Sequence, residues 1–233
     1  MNDDNGMSTH AREMSHDAGA TALMQVVDSG LLRCGVPPRL GGDGGLDHLI
    51  AGAAELARHH PAAAWLLWAQ RMTIEALLLS PNIALRDHWL VDLLCGERAA
   101  TLSPWLEPLR ARDTGRGWLL RGEITAVPNL QWAGFSLAAP VHLGEQRGQW
   151  VLLRSEENGL STVPGTVAHW PAAQAAALAI DNVFFREDEW LGGPELPARL
   201  APLATALACC LPHPTDWNRT TSPALSPTRL ATT

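Results

Sequence analysis

The chain has 233 residues, and 46% of them are hydrophobic, which is enough to bury a substantial core. Its 24 acidic and 17 basic residues give a formal net charge of -7 without a basic cluster, so a nucleic-acid partner is excluded. The N-terminus lacks the apolar segment of a signal peptide, and no stretch approaches the roughly 20 apolar residues of a membrane span, so we expect a cytoplasmic protein without a membrane partner.

Four helices are predicted in the N-terminal part of the chain, residues 18–98, after a segment 1–17 that we expect to be disordered. Apolar residues at helical spacing predict the first helix over residues 18–32. The other three are predicted over residues 46–60, 61–80 and 83–96. The third of the four is apolar on most of its sides, which is typical of a helix buried within a bundle. Residues 18–98 are therefore interpreted as a helical domain.

A loop rich in proline and glycine, residues 36–46 (VPPRLGGDGGL), separates the first two helices. Its prolines end the preceding helix, and its four glycines permit backbone angles that side chains would forbid. A phosphate-binding loop would need a preceding strand and a further glycine at position 47, where the chain has Asp47. We therefore interpret this segment as a turn between two helices.

Beyond Arg98, short apolar or alternating segments are separated by Gly, Pro, Asn or charged turns, which is typical of strands and hairpins. This pattern predicts a β domain over residues 99–192. Its last strand is predicted in the segment AAALAIDNVFFRE, with an inward-facing set formed by Leu178, Ile180, Val183 and Phe185. A short helix is expected over residues 193–210, and the Pro-, Ser- and Thr-rich residues 211–233 are expected to be disordered. The predicted fold class is α+β, a helical bundle followed by a β-barrel-like domain.

Two patterns resemble reactive groups, but each has a simpler structural explanation. Residues 134–138, GFSLA, approach the G-x-S-x-G nucleophile elbow and lack its last glycine, so Ser136 is interpreted as a strand residue. Glu75 lies within the helix that we expect to be buried, and Arg71, four residues earlier, is its expected ion-pair partner.

No metal site and no disulfide framework is predicted. Glu55, His59 and His60 lie close together on one helix, but no further ligand stands at a metal-binding spacing. The four cysteines form neither a C-x-x-C pair nor a cluster with histidines, so buried thiols are expected at Cys34, Cys95, Cys209 and Cys210.

Four motifs in this order resemble the acyl-CoA dehydrogenase superfamily of flavoproteins. The loop VPPRLGGDGGL is similar to that family's proline and double-glycine loop, and ELARHHPAAAW is similar to its E-L-A-R helix and the buried helix after it. The segment GWLLRGEITAVPN resembles the family's G-x-x-L-x-G-x-K-x-W-I-T-N hairpin, and IDNVFFREDEWLGG resembles the end of its middle domain. Together the motifs cover about residues 30–193.

The resemblance implies a cofactor, FAD with FMN as the alternative flavin, and an acyl-CoA or other small-molecule substrate. In that family a glutamate abstracts the α-proton of the acyl thioester while hydride leaves the β-carbon to the flavin. An α-proton is weakly acidic, so this chemistry needs a polarised carbonyl and a desolvated base in a closed, apolar site. The family also forms homo-oligomers.

Two segments of this chain correspond to the family's flavin-facing positions, and both depart from its pattern. The family's T-E-P-G-A-G-S-D segment falls on LSPWLEPLR, where Leu102 and Ser103 are the expected flavin contacts. In the W-I-T stretch, Ala126 occupies the aromatic position and Pro128 the hydroxyl position. These four residues are the predicted cofactor-binding residues. Compared with the family pattern, the chain lacks the aromatic side chain at position 126 and the hydrogen-bond donor at position 128.

The family's C-terminal four-helix bundle, which carries the catalytic glutamate and the main subunit interface, has no counterpart in the sequence. Only residues 193–210 resemble its first helix, so we predict no catalytic residue in this chain. The resulting expectation is a truncated acyl-CoA dehydrogenase-like flavoprotein, weakly active or inactive alone and without the family's oligomer interface. A flavin-dependent monooxygenase of the same fold and a non-catalytic binding module are the alternatives.

Overall fold

The structure, a computed structural model, describes residues 20–102, 108–131, 133–144, 146–163, 173 and 175–211, except for the side chains of residues 126, 146 and 147. The predicted α+β fold is confirmed: four helices precede a single seven-stranded mixed sheet that curls into a half-barrel, and one helix follows it. Of the ends expected to be disordered, residues 1–17 and 211–233, only Leu211 lies within the described residues, and it packs against the core.

The described residues form five α-helices. They are α1 (20–28), α2 (Leu46–His59), α3 (Pro61–Leu79), α4 (Ile83–Cys95) and α5 (Leu196–Ala208). The prediction that the first helix continues to residue 32 is wrong. Gly30 takes a left-handed conformation with φ 72°, which ends the helix, and the chain continues as a short 3₁₀ turn over Leu31–Arg33. None of the described helices is both long enough and apolar enough to cross a bilayer.

Helix α3 is the centre of the helical part, as its apolar composition predicted. Fourteen of its residues are buried, from Ala63 to Leu77, and it packs against α2, α4, α5 and the sheet. Helix α5 covers one side of it with four leucines spaced at helical intervals, which are Leu196, Leu200, Leu203 and Leu207. The helices and the sheet therefore share one hydrophobic core.

The glycine loop is a turn between α1 and α2, as predicted. Its middle forms a 3₁₀ turn over Pro38–Leu40. Backbone hydrogen bonds close it, because the N–H of Gly35 donates to the carbonyl of Gly44 at 3.2 Å and the N–H of Asp43 donates to the carbonyl of Arg33 at 3.0 Å. The loop is therefore folded back on itself.

The sheet contains two parallel and four antiparallel strand pairs. Its strands are β1 (Ala99–Leu102), β2 (Leu109–Asp113), β3 (Trp118–Val127), β4 (Phe135–Leu143), β5 (Gln146–Arg154), β6 (Leu160–Val163) and β7 (Ala176–Phe185). The order across the sheet is β1-β4-β2-β3-β7-β6, and β5 pairs with the other edge of β4. Strands β1 and β2 are both parallel to β4, whereas the remaining pairs are antiparallel.

Strand β7 buries the four side chains that the sequence predicted to face inward. Leu178 and Ile180 are two residues apart, as expected for one face of a strand, but the next buried residues, Val183 and Phe185, are displaced from this alternation by one position. A bulge explains the change, because Leu120 of β3 pairs with Val183 while Arg121 pairs with Asp181. Asn182 is the extra residue and has φ 58°.

Burial of the cysteines was predicted correctly only for Cys34. Cys209 is exposed, and the other two are partly exposed, but all four thiols are free as expected. Cys209 and Cys210 follow the end of α5, and only Cys210 faces the bundle, where its thiol donates to the carbonyl of Ile50 at 3.7 Å.

Arg98 joins the end of the helical part to the sheet. Its Nε donates to Ser136 Oγ at 2.8 Å, and a terminal nitrogen donates to the carbonyl of Phe135 at 2.9 Å. The guanidinium also lies 5.0 Å from the ring centre of Trp89 and 2.7 Å from a carboxylate oxygen of Glu156. Ser136 thus belongs to strand β4, as predicted; it is also buried and accepts a hydrogen bond from Arg98.

Replacing Arg98 with methionine is expected to lower the free energy of unfolding by about 2 kcal/mol, because two buried acceptors lose a charged donor. The matched control is Arg121→Met, which removes a pair between side chains that are 62% and 75% exposed and should cost below about 0.5 kcal/mol. Urea unfolding followed by tryptophan fluorescence measures both changes. Equal losses in the two variants would contradict the role of Arg98.

At acidic pH, the difference in the free energy of unfolding between Arg98→Met and the wild-type chain should become smaller. The hydrogen bond from Arg98 lowers the pKa of Glu156, so the pair stabilises the fold at pH values above the ordinary glutamate pKa. That contribution is lost as the pH falls through the lowered pKa of the folded state.

Candidate cofactor site

Strands β1 and β2 form two pieces along one edge of β4. Leu102 pairs with Ala138, and Leu109 pairs with Val141. The chain thus advances by seven residues from Leu102 to Leu109, whereas their partners on β4 advance by only three, from Ala138 to Val141. Strand β4 is therefore too short at this point to pair with every residue between Leu102 and Leu109. Pro108, the residue before β2, has no N–H to donate to a ladder, which explains why β2 begins only at Leu109. The sheet is therefore interrupted at the segment that resembles the family's flavin-facing loop.

The end of β3 lies beside β1 at this interruption. Thr101 Oγ1 donates to the carbonyl of Pro128 at 2.6 Å, and Asn129 Nδ2 donates to the carbonyl of Ala100 at 2.8 Å. The side chains of Thr101 and Asn129 are fully buried. These two bonds hold the ends of β1 and β3 at a fixed spacing.

Three buried amide side chains support the two strand ends from behind, and we call Gln70, Asn129 and Gln131 the amide cluster. Gln70, in the middle of α3, accepts hydrogen bonds through Oε1 from the Ala100 N–H at 2.6 Å and from Asn129 Nδ2 at 2.9 Å. Gln131 Nε2 donates to Asn129 Oδ1 at 3.0 Å. Gln70 and Asn129 are fully buried, and Gln131 is 8% exposed.

Gln70 also connects α3 to the end of α4 and to the segment that enters the sheet. Its Nε2 donates to the carbonyls of Leu93 and Arg98, both at 2.9 Å. One side chain thus makes four hydrogen bonds to groups that are 23 to 59 residues away in the chain. The position of the strand ends relative to the helical part depends on this residue.

Asn129 sets the direction of the chain after β3. It has φ 62°, a left-handed conformation that asparagine tolerates better than most residues. Its backbone N–H donates to the carbonyl of Ala173 at 2.9 Å, and its own carbonyl accepts from the Gln131 N–H at 3.0 Å. Both its main chain and its side chain are therefore fixed.

The structure brings three of the four predicted cofactor-binding residues to this one place. Leu102 is the last residue of β1 and is 2% exposed, and Pro128 is buried directly after β3. Ala126 belongs to β3, in the stretch where its pairing with β7 becomes irregular. Ser103 lies outside the described residues. Leu102 and Pro128 are therefore packed into the core at the two strand ends.

The hydrogen bonds of the amide cluster described above join amide side chains to one another and to backbone N–H and carbonyl groups. Such an arrangement can hold backbone in position and exclude water, but it cannot transfer a proton.

The nearest buried charge along α3 has a structural role. Arg71 is fully buried, pairs with Glu75 at 3.1 Å as predicted, and donates to the carbonyl of Cys34 at 3.2 Å. Burial lowers the pKa of Arg71, and the neighbouring Glu75 opposes this shift. Burial likewise raises the pKa of the Cys34 thiol. Arg71 therefore ties the segment just before the glycine loop to α3.

The sequence interpretation missed Gln70 and did not assign a role to Asn129. Asn129 was visible as the last residue of the hairpin motif. The signal for Gln70 was a polar residue at the centre of a helix predicted to be buried, since such a side chain must find partners.

Glu55 is an ion-pair acceptor on the surface of α2. It pairs with Arg58 and, at 2.9 Å, with Nε2 of His59. Across the described part of the chain, no three His, Cys, Asp or Glu side chains lie close enough to hold a metal ion.

The architecture of helices, interrupted sheet and final helix is that of the acyl-CoA dehydrogenase fold, and comparison with solved structures agrees. No protein-family model and no curated protein matches the sequence. At the identities found among solved structures, similarity defines the fold alone.

Three solved structures illustrate the match. A glutaryl-coenzyme A dehydrogenase in complex with glutaryl-CoA is 19% identical with a TM-score of 0.67, over 84% of this chain and 58% of that one. The butyryl-CoA dehydrogenase of Megasphaera elsdenii is 15% identical with a TM-score of 0.64, over 88% and 65%. An acyl-CoA dehydrogenase from Bacillus anthracis complexed with FAD is 17% identical with a TM-score of 0.65, over 84% and 38%. This chain thus spans less than two thirds of each.

Proposed function

We propose that this chain is an acyl-CoA dehydrogenase-like flavoprotein that holds the ring of FAD against the ends of β1 and β3. The observation that supports it is the interruption between Leu102 and Leu109, which falls on the segment resembling the family's flavin-facing loop. The whole-protein activity that we propose is FAD-dependent oxidation of an acyl-CoA thioester. The named relatives act in the same class, since two are dehydrogenases of glutaryl-CoA and butyryl-CoA.

The residues at the strand ends fit a flavin ring in their chemistry. The buried side chains of Leu102 and Pro128 are apolar, and the amide cluster behind them is uncharged. When bound, the flavin supplies the electron sink for hydride removal from carbon. The chain's own part is to fix the two strand ends through Gln70 and Asn129 and to keep water from the face on which the ring lies.

Binding without turnover is what we propose for this chain alone. The described residues at the strand ends supply no carboxylate near the amide cluster that could abstract an α-proton. Oxidation of an acyl-CoA with an artificial electron acceptor should therefore be absent even when flavin is bound. Turnover at a rate above that of free flavin would contradict this part of the proposal.

Thr101→Val should weaken FAD binding about fivefold, because the carbonyl of Pro128 loses its donor and the strand ends lose their fixed spacing. The measurement is quenching of flavin fluorescence as purified chain is titrated into FAD, with FMN in parallel. Thr162→Val on the exposed side of β6 is the matched control and should leave the affinity unchanged. Circular dichroism confirms that each variant is folded at the temperature used.

Two results would contradict the proposal. One is a folded wild-type chain that quenches neither flavin. The other is an equal effect of Thr101→Val and Thr162→Val on the affinity.

A further inference from the structure

A concave surface lies on the helical part, between the glycine loop and α4. Its volume is about 590 Å³, within the range of small-molecule sites. Its walls combine guanidinium groups with aliphatic side chains, from Arg33, Arg39, Arg86, Leu40, Leu90 and Leu94. We call it the arginine groove. None of the residues that line it belongs to the proposed flavin site.

Arg33 holds its positive charge in a fixed position without cancelling it. One terminal nitrogen donates to the carbonyl of Gly41 at 2.9 Å, and the other donates to Cys95 Sγ at 3.2 Å. Neither partner is a carboxylate, so the guanidinium keeps its attraction for an anion. Because the side chain is already ordered, binding a ligand costs it little conformational entropy.

The remaining charges leave the groove positive. Arg39 stands on the 3₁₀ turn, is exposed and has no ion pair with any described residue. Arg86 pairs with Asp87 at 2.8 Å, and Asp87 is the one carboxylate in the lining. Three guanidinium groups therefore face one carboxylate, in a chain whose formal net charge is -7.

The floor of the groove is apolar. Leu90 and Leu94 of α4 lie beneath it and are only 2% and 3% exposed, so the apolar surface open to a ligand comes mainly from Val91, which is 61% exposed, and from the half-buried Leu40. Guanidinium groups favour carboxylate and phosphate oxygens, which they bind through two parallel hydrogen bonds. Aliphatic walls favour a hydrocarbon. A ligand that satisfies both must carry the two parts in one molecule.

We propose that the arginine groove binds an amphipathic anion, a small molecule with a phosphate or carboxylate head group and an aliphatic chain. The head group lies between Arg33 and Arg39, and the aliphatic chain lies along Leu40 and Val91. This site is separate from the proposed flavin site, so an experiment can contradict one of the two proposals and leave the other unaffected.

Isothermal titration calorimetry on the full chain tests the proposal with four probes below their micelle concentrations. Dodecyl phosphate and laurate carry both parts of the ligand, inorganic phosphate carries the head group alone, and dodecyltrimethylammonium carries the chain with the opposite charge. We expect both amphipathic anions to bind at least about tenfold more tightly than either of the other probes. The ratio of the two anion affinities identifies the preferred head group.

Two substitutions at exposed positions locate the site without risk to the core. Arg39→Gln removes one charge, and Val91→Asp places a negative charge on the rim. Each should weaken binding of the amphipathic anions about tenfold. The control is Arg116→Gln in the exposed turn between β2 and β3, which should leave the affinity unchanged although it changes the net charge equally.

Four results would overturn the proposal. The first is no heat with either amphipathic anion, and the second is equal binding of dodecyltrimethylammonium, which would show a surface that selects only for hydrocarbon. The third is equal weakening by Arg39→Gln and Arg116→Gln, which would show attraction to overall charge. Inorganic phosphate that binds as tightly as dodecyl phosphate would also contradict it, because the apolar floor would then contribute nothing.

Discussion

Gln70→Met is expected to lower the free energy of unfolding by about 4 kcal/mol. Methionine keeps the length of the side chain but removes every hydrogen bond that Gln70 makes. The Ala100 N–H, the Leu93 carbonyl and the Asn129 amide would then be buried without this partner, and each such group costs about 1–3 kcal/mol. Urea unfolding followed by circular dichroism and tryptophan fluorescence measures the loss.

Gln25→Met is the matched control for Gln70→Met. Gln25 lies in α1, and its side chain is only partly buried, so the same substitution should change stability by less than about 0.5 kcal/mol. A loss below about 1 kcal/mol for Gln70→Met would contradict the importance of the amide cluster. The surviving folded Gln70→Met protein should also bind FAD more weakly than the wild-type chain.

The second large effect is expected for Gly42→Ala in the glycine loop, with a loss of about 3 kcal/mol. A Cβ atom at Gly42 would overlap the backbone carbonyl of Val36, and a backbone group cannot move aside without opening the turn. Val36 is 3% exposed and part of the core, so the turn and the core would be disturbed together.

Gly45→Ala is the control for this loop. No atom lies within 4 Å of a Cβ atom at Gly45, which has an extended conformation with φ -109° before α2. Its cost should stay below about 1 kcal/mol, the size of a helix-cap effect. Equal thermal unfolding midpoints for the two variants would contradict the proposed close approach at Gly42.

Local pattern was sufficient to predict the elements whose signal lies within one segment. The apolar composition of α3 predicted a buried helix, and the spacing around Arg71 predicted its pair with Glu75. The first helix was predicted too long because the apolar spacing continues through Leu31 and Leu32. Both leucines are buried, but in a 3₁₀ turn after Gly30, so burial was predicted correctly and conformation was not.

The candidate site depends on contacts that no local pattern contains. Gln70 meets Ala100 and Asn129 across 30 and 59 residues, and Thr101 meets Pro128 across 27. Motif resemblance pointed to Leu102 and Pro128, and the structure brings them to the same strand ends. The motif resemblance could not show that the side chains of Leu102 and Pro128 are buried, because the helices and strands that pack around them decide their burial.

Hydrogen–deuterium exchange with and without FAD tests the central claim most directly, because it reports where the flavin lies. We predict slower exchange in peptides that cover the ends of β1 and β3, residues 99–102 and 127–131, and no change in β6. Under the same saturating FAD, protection confined to the arginine groove, or unchanged exchange at both strand ends, would contradict the proposed site.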